Sequence, residues 1–345
     1  MKFAVVGAGV IGATHARLIT SLPEGSELVA VVDVEGDRAE ALTGKHGGEP
    51  MTDLAKACAR PDIDAVSICL PSGLHADAAI TALEAGKHVI VEKPLDVTLA
   101  AADRFIDAEQ RTGMTVAVIS QRRFQQAPAF VHQAVADGRL GRITTGIAES
   151  AFWRSQEYYD SGGWRGTVEL DGGGALMNQG IHVVDLLLWM LGEPVEVQAY
   201  SDRLAHERID VEDTVAATVR FRSGAIGSIV ATTSAYPGRP VRLSVYGDQG
   251  SAVIEQDDLV AFDVADGGTA TGAHGGGDGQ PAGEASVTQS VADAHLAQYV
   301  DFIEAVRDSR PPAITTLDAR RALEVVLGVY ESARTGGPVQ LTGRA

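Results

Sequence analysis

A chain of 345 residues is too long for one ordinary domain and comfortable for two, and its 45% hydrophobic content is enough to fill two cores. The formal net charge of -18 argues against nucleic acid, which needs a basic footprint, and against an anionic membrane surface. It leaves room for a local arginine or a helix N-terminus to bind an anion.

Cys58 and Cys69 each sit in an apolar setting, with no CxxC and no Cys/His cluster nearby. They read as reduced core residues, and no metal is expected. The chain opens on a strand-like run, and no apolar stretch reaches membrane-spanning length. The expectation is a cytoplasmic protein without a secretory leader.

Over the first 120 or so residues, Val- and Ile-rich runs (Phe3–Val6, Leu28–Val32, Ala65–Leu70, His88–Val91, Thr115–Ile119) alternate with helical spacings (Ile11–Ser21, Arg38–His46, His75–Ala85, Leu99–Arg111). Apolar runs without alternation are strands buried on both faces. Strand–helix alternation predicts a doubly wound parallel sheet of the Rossmann type. Beyond residue 121 the grammar changes. A strand is predicted over Ile143–Trp153 and a long helix over Gly174–Leu191. Period-two runs then follow at Glu196–Leu204, Thr214–Phe221, Ala225–Thr233, Val241–Gly247 and Ser251–Gln256, with a hairpin turn over Gly247–Gly250. Successive strands without helices predict a large, mostly antiparallel open sheet in an α+β domain. The Gly- and Ala-rich run over 265–286 reads as a surface loop, and two helices near 291–308 and 317–335 close the chain. The expected organisation is a dinucleotide-binding domain over 1–120 and a substrate-binding and oligomerisation domain over 121–345. The final helix is a candidate to pack back on the first domain.

Residues 1–12 place Gly7-x-Gly9-x-x-Gly12 between a strand and a helix, the frame in which this fingerprint carries meaning. Gly7 permits the tight turn, Gly9 lets a pyrophosphate approach the backbone, and Gly12 lets helix pack on strand. Val10 and Ile11 then open the helix whose amides face the phosphates. An acidic residue is due about 20 residues on, and Asp33 ends the second strand. Its carboxylate suits ribose hydroxyls and repels a 2′-phosphate, so NAD is favoured over NADP. Arg38 lies close by and softens that exclusion.

The next marks are Pro71-Ser72-Gly-Leu-His75 after Leu70, and Glu92-Lys93-Pro94 closing a buried strand. A lysine at such a strand end is costly unless it works or is paired. Together these segments closely resemble the Gfo/Idh/MocA oxidoreductase family. The resemblance implies that Leu70, Pro71, Ser72, His75, Glu92 and Pro94 lie against NAD, that Lys93 reaches nicotinamide and substrate hydroxyl, and that the Lys93–Pro94 bond is cis. It also singles out Asp171-Gly-Gly-Gly-Ala-Leu-Met-Asn178-Gln-Gly-Ile-His182-Val-Val-Asp185. Asn178, His182 and Asp185 fall on one helical face. The family's acid/base histidine matches His182. Many relatives carry aspartate where this chain has Asn178, so Lys93 shares the proton or Asp185 orients the imidazole.

The loop Phe152–Gly166 is polar and aromatic, and Arg154, Tyr159, Trp164 and Arg165 suit a sugar ring. Arg122 and Arg123 are candidate substrate contacts at the domain junction, and an anion on either makes a uronate plausible. The expected activity is NAD-dependent oxidation of a CH–OH group in a sugar, sugar derivative or inositol, by a homodimer or homotetramer joined through the C-terminal sheet. An enzyme that retains NAD through transient oxidation with elimination or transfer, and a non-catalytic NAD-binding sensor, are the competing readings.

Overall fold

The computed structural model describes residues 1–22, 25–265, 269–270 and 284–344. It divides into two compact units, Met1–Ile119 with Ala292–Arg320, and Ser120–Val291 with Arg321–Ala345.

The first unit holds β1 (Lys2–Val6), β2 (Glu27–Val32), β3 (Glu49–Met51), β4 (Ala65–Ile68), β5 (His88–Val91) and β6 (Val116–Val118). Every adjacent pair is parallel, in the order β3-β2-β1-β4-β5-β6. The strand order therefore reverses between β1 and β4, where doubly wound sheets open a ligand crevice. Helices α1 (Val10–Thr20), α2 (Gly36–His46), α3 (Leu54–Cys58), α4 (His75–Glu84) and α5 (Leu99–Thr112) alternate with the strands. All four residues of β4 are buried, as a centrally placed parallel strand requires. Neither β3 nor α3 stands out in the sequence, because Glu-Pro-Met lacks an apolar run and α3 is five residues long.

The second unit begins with α6 (Gln126–Ala136), β7 (Ile143–Ala151) and α7 (Gln156–Asp160), and α8 spans Ile181–Leu191. Strands β8 (Pro194–Asp202), β9 (Thr214–Phe221), β10 (Ile226–Thr232), β11 (Arg242–Gly247), β12 (Gly250–Glu255), β13 (Asp258–Val264) and β14 (Thr269–Ala270) follow. With β15 (Val339–Gln340) they form a nine-stranded sheet, ordered β14-β13-β12-β11-β7-β10-β9-β8-β15. Only β7 and β10 pair in parallel. In β9 alternate residues are buried, the mark of a sheet covered on one face. Helix α8 covers that face closely: a Cβ on Gly146 of β7 would lie 2.6 Å from Leu187 and 2.8 Å from Leu191. β13 carries Asp258 and Asp263 in its seven residues, which interrupts the apolar pattern and hides it in the sequence.

Two long helices end the chain, α9 (Glu284–Asp308) and α10 (Thr316–Thr335). The compact units do not follow one cut near residue 120. Residues 292–320, with most of α9, belong to the first unit. There Tyr299 and Phe302 enter the cluster of Phe3, Ile19 and Val31, with Phe3 and Tyr299 edge to face at 5.7 Å. Most of α10 belongs to the second unit. The Gly-rich run read as a surface loop lies, apart from its ends, outside the described residues. Among the described residues no helix is long and apolar enough to cross a membrane.

Candidate active site

In the first unit the three fingerprint glycines differ in what surrounds them. Gly7 has φ of +98°, and a Cβ there would lie 2.4 Å from the Cys69 carbonyl oxygen. A Cβ on Gly12 would lie 1.8 Å from the Gly7 carbonyl oxygen. Gly9 has nothing within 4 Å of that position. Two glycines thus serve the fold, and the third leaves open space before α1. Gly9 is the N-cap of α1 and offers no side chain to the first-turn amides, and Val10 is 84% exposed. An open turn with free amides and a partial positive charge fits a pyrophosphate. Asp33 accepts the amides of Ala8 (2.7 Å) and Glu35 (2.9 Å), so its carboxylate is fixed beside this turn. Arg38 is exposed on α2.

The Leu70–His75 segment is tied to the Lys93–Pro94 segment through His75. Its ring nitrogens lie 2.7 Å from the Pro94 carbonyl oxygen and 2.9 Å from that of Leu70. Both partners are acceptors, so both bonds together need the imidazolium, whereas burial pushes the pKa down. In the neutral form one bond is made. Either way the buried ring ties the two backbone segments together. Ser72 is buried in the single turn Ser72–Leu74 that Pro71 introduces. The Lys93–Pro94 peptide is cis, and Lys93 is half-buried.

Glu92 belongs to a buried network that sequence reading missed. His15 of α1 meets Glu92 through Nε2 at 3.0 Å and Ser67 through Nδ1 at 2.8 Å. The Tyr299 hydroxyl lies 2.7 Å from Ser67 Oγ and 2.8 Å from His15 Nδ1. The other Glu92 oxygen accepts the Lys93 amide at 3.2 Å. Burial alone would raise the Glu92 pKa, but the His15 hydrogen bond and charge, with His295 and Lys93, outweigh it and hold the carboxyl at about 2. Ligand atoms of His15, Glu92 and His295 all lie within 4.8 Å of one another. His15 and Glu92 are joined directly, Nε2 to carboxylate, by a hydrogen bond. The one legible trace in the sequence was a histidine three residues past Gly12.

In the second unit, the helix expected from Gly174 to Leu191 opens differently. Ala175–Gly180 forms a π-helical turn, and the α-helix starts at Ile181. Wider turns of this kind recur at functional sites. Glu212 receives the amides of Gly174 (2.7 Å) and Leu176 (2.8 Å) and the Tyr330 hydroxyl (3.0 Å). Burial outweighs these donors and pushes its carboxyl up to about 7. The glycines are there because of this approach. A Cβ on Gly174 would lie 1.7 Å from the Glu212 carbonyl oxygen, and one on Gly173 would lie 2.3 Å from the Tyr330 hydroxyl. Neither Glu212 nor Tyr330 was legible in the sequence, since both come from distant segments.

The turn carries Asn178, whose amide donates to Asp171 Oδ1 at 2.7 Å; Asp171 Oδ2 accepts the Gly166 amide at 2.9 Å. His182 follows in α8 and is half-buried. Arg123 grips Asp185 with Nε at 2.8 Å and Nη2 at 2.5 Å, and Ser120 Oγ donates to the same group. Arg123 also lies over the Trp189 ring at 5.3 Å. Arg122 is paired with Asp257 at 2.5 Å, with both side chains nearly buried. Each of these charges thus has a buried partner within the second unit.

The 152–166 loop divides likewise. Tyr159 is core: it is 5% exposed, packs with Ile209 and Val211, and bonds Thr233 Oγ1 at 2.9 Å. Tyr158, passed over in the sequence, stands between Arg154 and Arg165, whose guanidinium carbons lie 4.9 and 4.8 Å from its ring. Arg165 also lies 5.0 Å from the half-buried Trp164 ring. The Tyr158 hydroxyl accepts from Gln179 Nε2 at 3.4 Å, which ties this group to the π-helical turn.

Comparisons with known proteins agree with this division. Residues 1–120 match the family model described as "Oxidoreductase family, NAD-binding Rossmann fold", and residues 129–253 match the GFO/IDH/MocA C-terminal domain. The chain is 29% identical over 357 residues to scyllo-inositol 2-dehydrogenase (NAD(+)) of Bacillus subtilis, covering 99% of this chain and 96% of that protein. It is 27% identical over 327 residues to 4-carboxy-2-hydroxymuconate-6-semialdehyde dehydrogenase of Sphingobium sp., covering 94% and 96%. The WlbA dehydrogenase of Bordetella pertussis, solved with NADH and UDP-GlcNAcA, superposes with a TM-score of 0.87 at 31% identity over 99% of each chain.

Proposed function

Because the chain belongs to the GFO/IDH/MocA oxidoreductase family and carries its NAD-binding Rossmann fold, we propose that it moves a hydride between NAD and a secondary carbinol carbon of a sugar, sugar derivative or inositol. The observation that carries this reading is the open turn at Gly9, with Asp33 fixed beside it and the Glu92-Lys93-Pro94 strand end in the same unit. The inositol dehydrogenase relative and the UDP-GlcNAcA complex support the substrate class.

NAD supplies the hydride acceptor when bound. The protein's part is to hold the alcohol and manage its proton. His182, a side chain with a near-neutral intrinsic pKa, takes the hydroxyl proton as the carbinol C–H bond breaks. Lys93, at the strand end of the first unit, supplies an ammonium suited to stabilising negative charge on a carbinol oxygen. In reverse the two groups protonate a ketone. Asp33 makes NAD the preferred nucleotide, since a 2′-phosphate would meet a carboxylate.

We further propose a cytoplasmic homodimer or homotetramer. The open face of the nine-stranded sheet supports this, since Ile147, Tyr200 and Val230 project from it 38%, 80% and 41% exposed. Two buried free cysteines suit a reducing compartment.

The test is NAD- and NADP-dependent turnover on a panel of inositols, aldoses, uronates and anhydro sugars. Lys93→Ala and His182→Ala are run alongside. The expected result is turnover with NAD that falls by about 10²–10⁴-fold in each variant. Turnover that survives in both variants, or absence of turnover across the panel, overturns the reading.

A further inference from the structure

We infer that the substrate of this site carries an oxyanion, a carboxylate or a phosphate on the sugar, received by Arg154 and Arg165. This rests on the reading above and deepens it.

Several other arginines of the second unit have carboxylate partners, whereas Arg139 lies over the rings of Phe130 and Phe262 and Arg203 donates to the Ile209 carbonyl. Arg122 pairs with Asp257, Arg123 with Asp185, Arg208 with Asp160 and Arg242 with Glu255. Among the described residues Arg154 and Arg165 make no such pair, although the chain carries 46 acidic residues against 28 basic ones. Both Nε atoms are buried and have no hydrogen-bond partner. The Arg165 Nη1 donates only to a hydroxyl, that of Ser161, at 2.9 Å. The acids of α7 do not fill the gap, because Asp160 is held by Arg208 at 2.8 Å and Glu157 is exposed.

Two like charges, each within 5 Å of one tyrosine ring, repel each other, and their buried Nε donors are unmet. Such an arrangement is stable in use when an anion joins it. The guanidinium fork matches carboxylate and phosphate oxygens in the bidentate manner. The aromatic faces of Tyr158 and Trp164 suit the apolar face of a sugar ring. Through Gln179, Tyr158 is bonded to the turn that carries Asn178 and leads to His182. The arginine pair therefore belongs to the same local structure as the proposed proton acceptor, within one unit.

The experiment measures binding in the presence of saturating NADH, by tryptophan fluorescence and by calorimetry. The probes are matched sets: D-glucose, D-glucuronate and D-glucose 6-phosphate, and the nucleotide-linked sugar with its uronate. The proteins are the wild type, Arg154→Gln, Arg165→Gln and Arg165→Lys. An anionic member of a set should bind at least tenfold more tightly than its neutral counterpart, and added salt should erode the preference. The ratio of anionic to neutral affinity should collapse in both glutamine variants and recover in part with lysine. The carboxylate and phosphate arms decide which oxyanion the site takes. A wild-type ratio near one, a ratio unchanged in the variants, or no anion bound even at tens of millimolar overturns the inference. A charge preference in a protein that, given NAD in place of NADH, oxidises none of the probes overturns the proposed dehydrogenase instead and leaves the anion site standing.

Discussion

Asn178 donates its side-chain amide to Asp171 at 2.7 Å, across the glycine-rich entrance to the His182 helix. Asp171, seven residues before Asn178, is only 2% exposed and takes this donor inside the unit. An amide suits this position because Asp171 needs a donor.

Asn178→Asp sets two carboxylates in hydrogen-bond contact. One of them must take a proton, so its folded pKa rises above its unfolded value. A raised carboxyl pKa favours folding at low pH, and that contribution is lost as pH rises through it. The variant should be less stable than wild type by about 1–3 kcal/mol at pH 8 and should regain stability toward pH 5. Thermal unfolding across that range checks it, and a pH-independent deficit would refute it.

Gly9→Ala and Gly12→Ala should separate binding from folding. Space around Gly9 is open, whereas a Cβ on Gly12 meets the Gly7 carbonyl oxygen at 1.8 Å. Gly9→Ala should melt within about 1 kcal/mol of wild type yet bind NADH about tenfold or more weakly, since the pyrophosphate approaches there. Gly12→Ala should lose several kcal/mol or fail to fold. Circular dichroism melts with NADH titration distinguish the two.

The buried His15–Glu92 pair predicts a pH window. Burial lowers the His15 pKa, but its interactions with Cys69 and Tyr299 and its hydrogen bond to the Glu92 carboxylate leave it well above its ordinary value. Its contribution is complete below the unfolded histidine pKa and is lost as pH rises through the raised one. Glu92, held at about 2, contributes fully above the unfolded carboxyl pKa and loses that contribution as pH falls toward 2. Stability from the pair is therefore greatest between about pH 4.5 and 6.5. His15→Gln should cost about 3–5 kcal/mol there, because it leaves a buried carboxylate unpaired. Urea titrations at pH 3, 5.5 and 9 should show the largest deficit at the middle value.

Asp185→Asn tests whether the carboxylate at position 185 is structural. Arg123 would lose its charged partner in a site where both side chains are 8% exposed. Loss of about 3–5 kcal/mol of stability is expected. The pH profile of kcat should keep its midpoint, whereas an aspartate orienting His182 would shift it.

Asp33→Ser removes the acceptor of the Ala8 and Glu35 amides. The ratio of kcat/KM for NAD to that for NADP should fall by about tenfold or more. An unchanged ratio would assign nucleotide choice elsewhere, with Arg38 the next residue to test.

The sequence by itself determined the elements and the glycine fingerprint. Strand burial, turn geometry and the Gly7, Gly9 and Gly12 spacing are local, and apolar runs report them directly. The parallel sheet, the mostly antiparallel second sheet and a helix carrying His182 follow from that local grammar, whereas the π-helical turn before it does not. The tertiary structure alone decided which charges are free. Arg122 and Asp257 are 135 residues apart in sequence, and Tyr299 stands 284 residues from His15, yet each pair is in contact. Four arginines around the second domain looked equivalent as letters. Folding buries acids against Arg122 and Arg123 and leaves Arg154 and Arg165 facing Tyr158, because ion pairing depends on distance in space and not on separation along the chain.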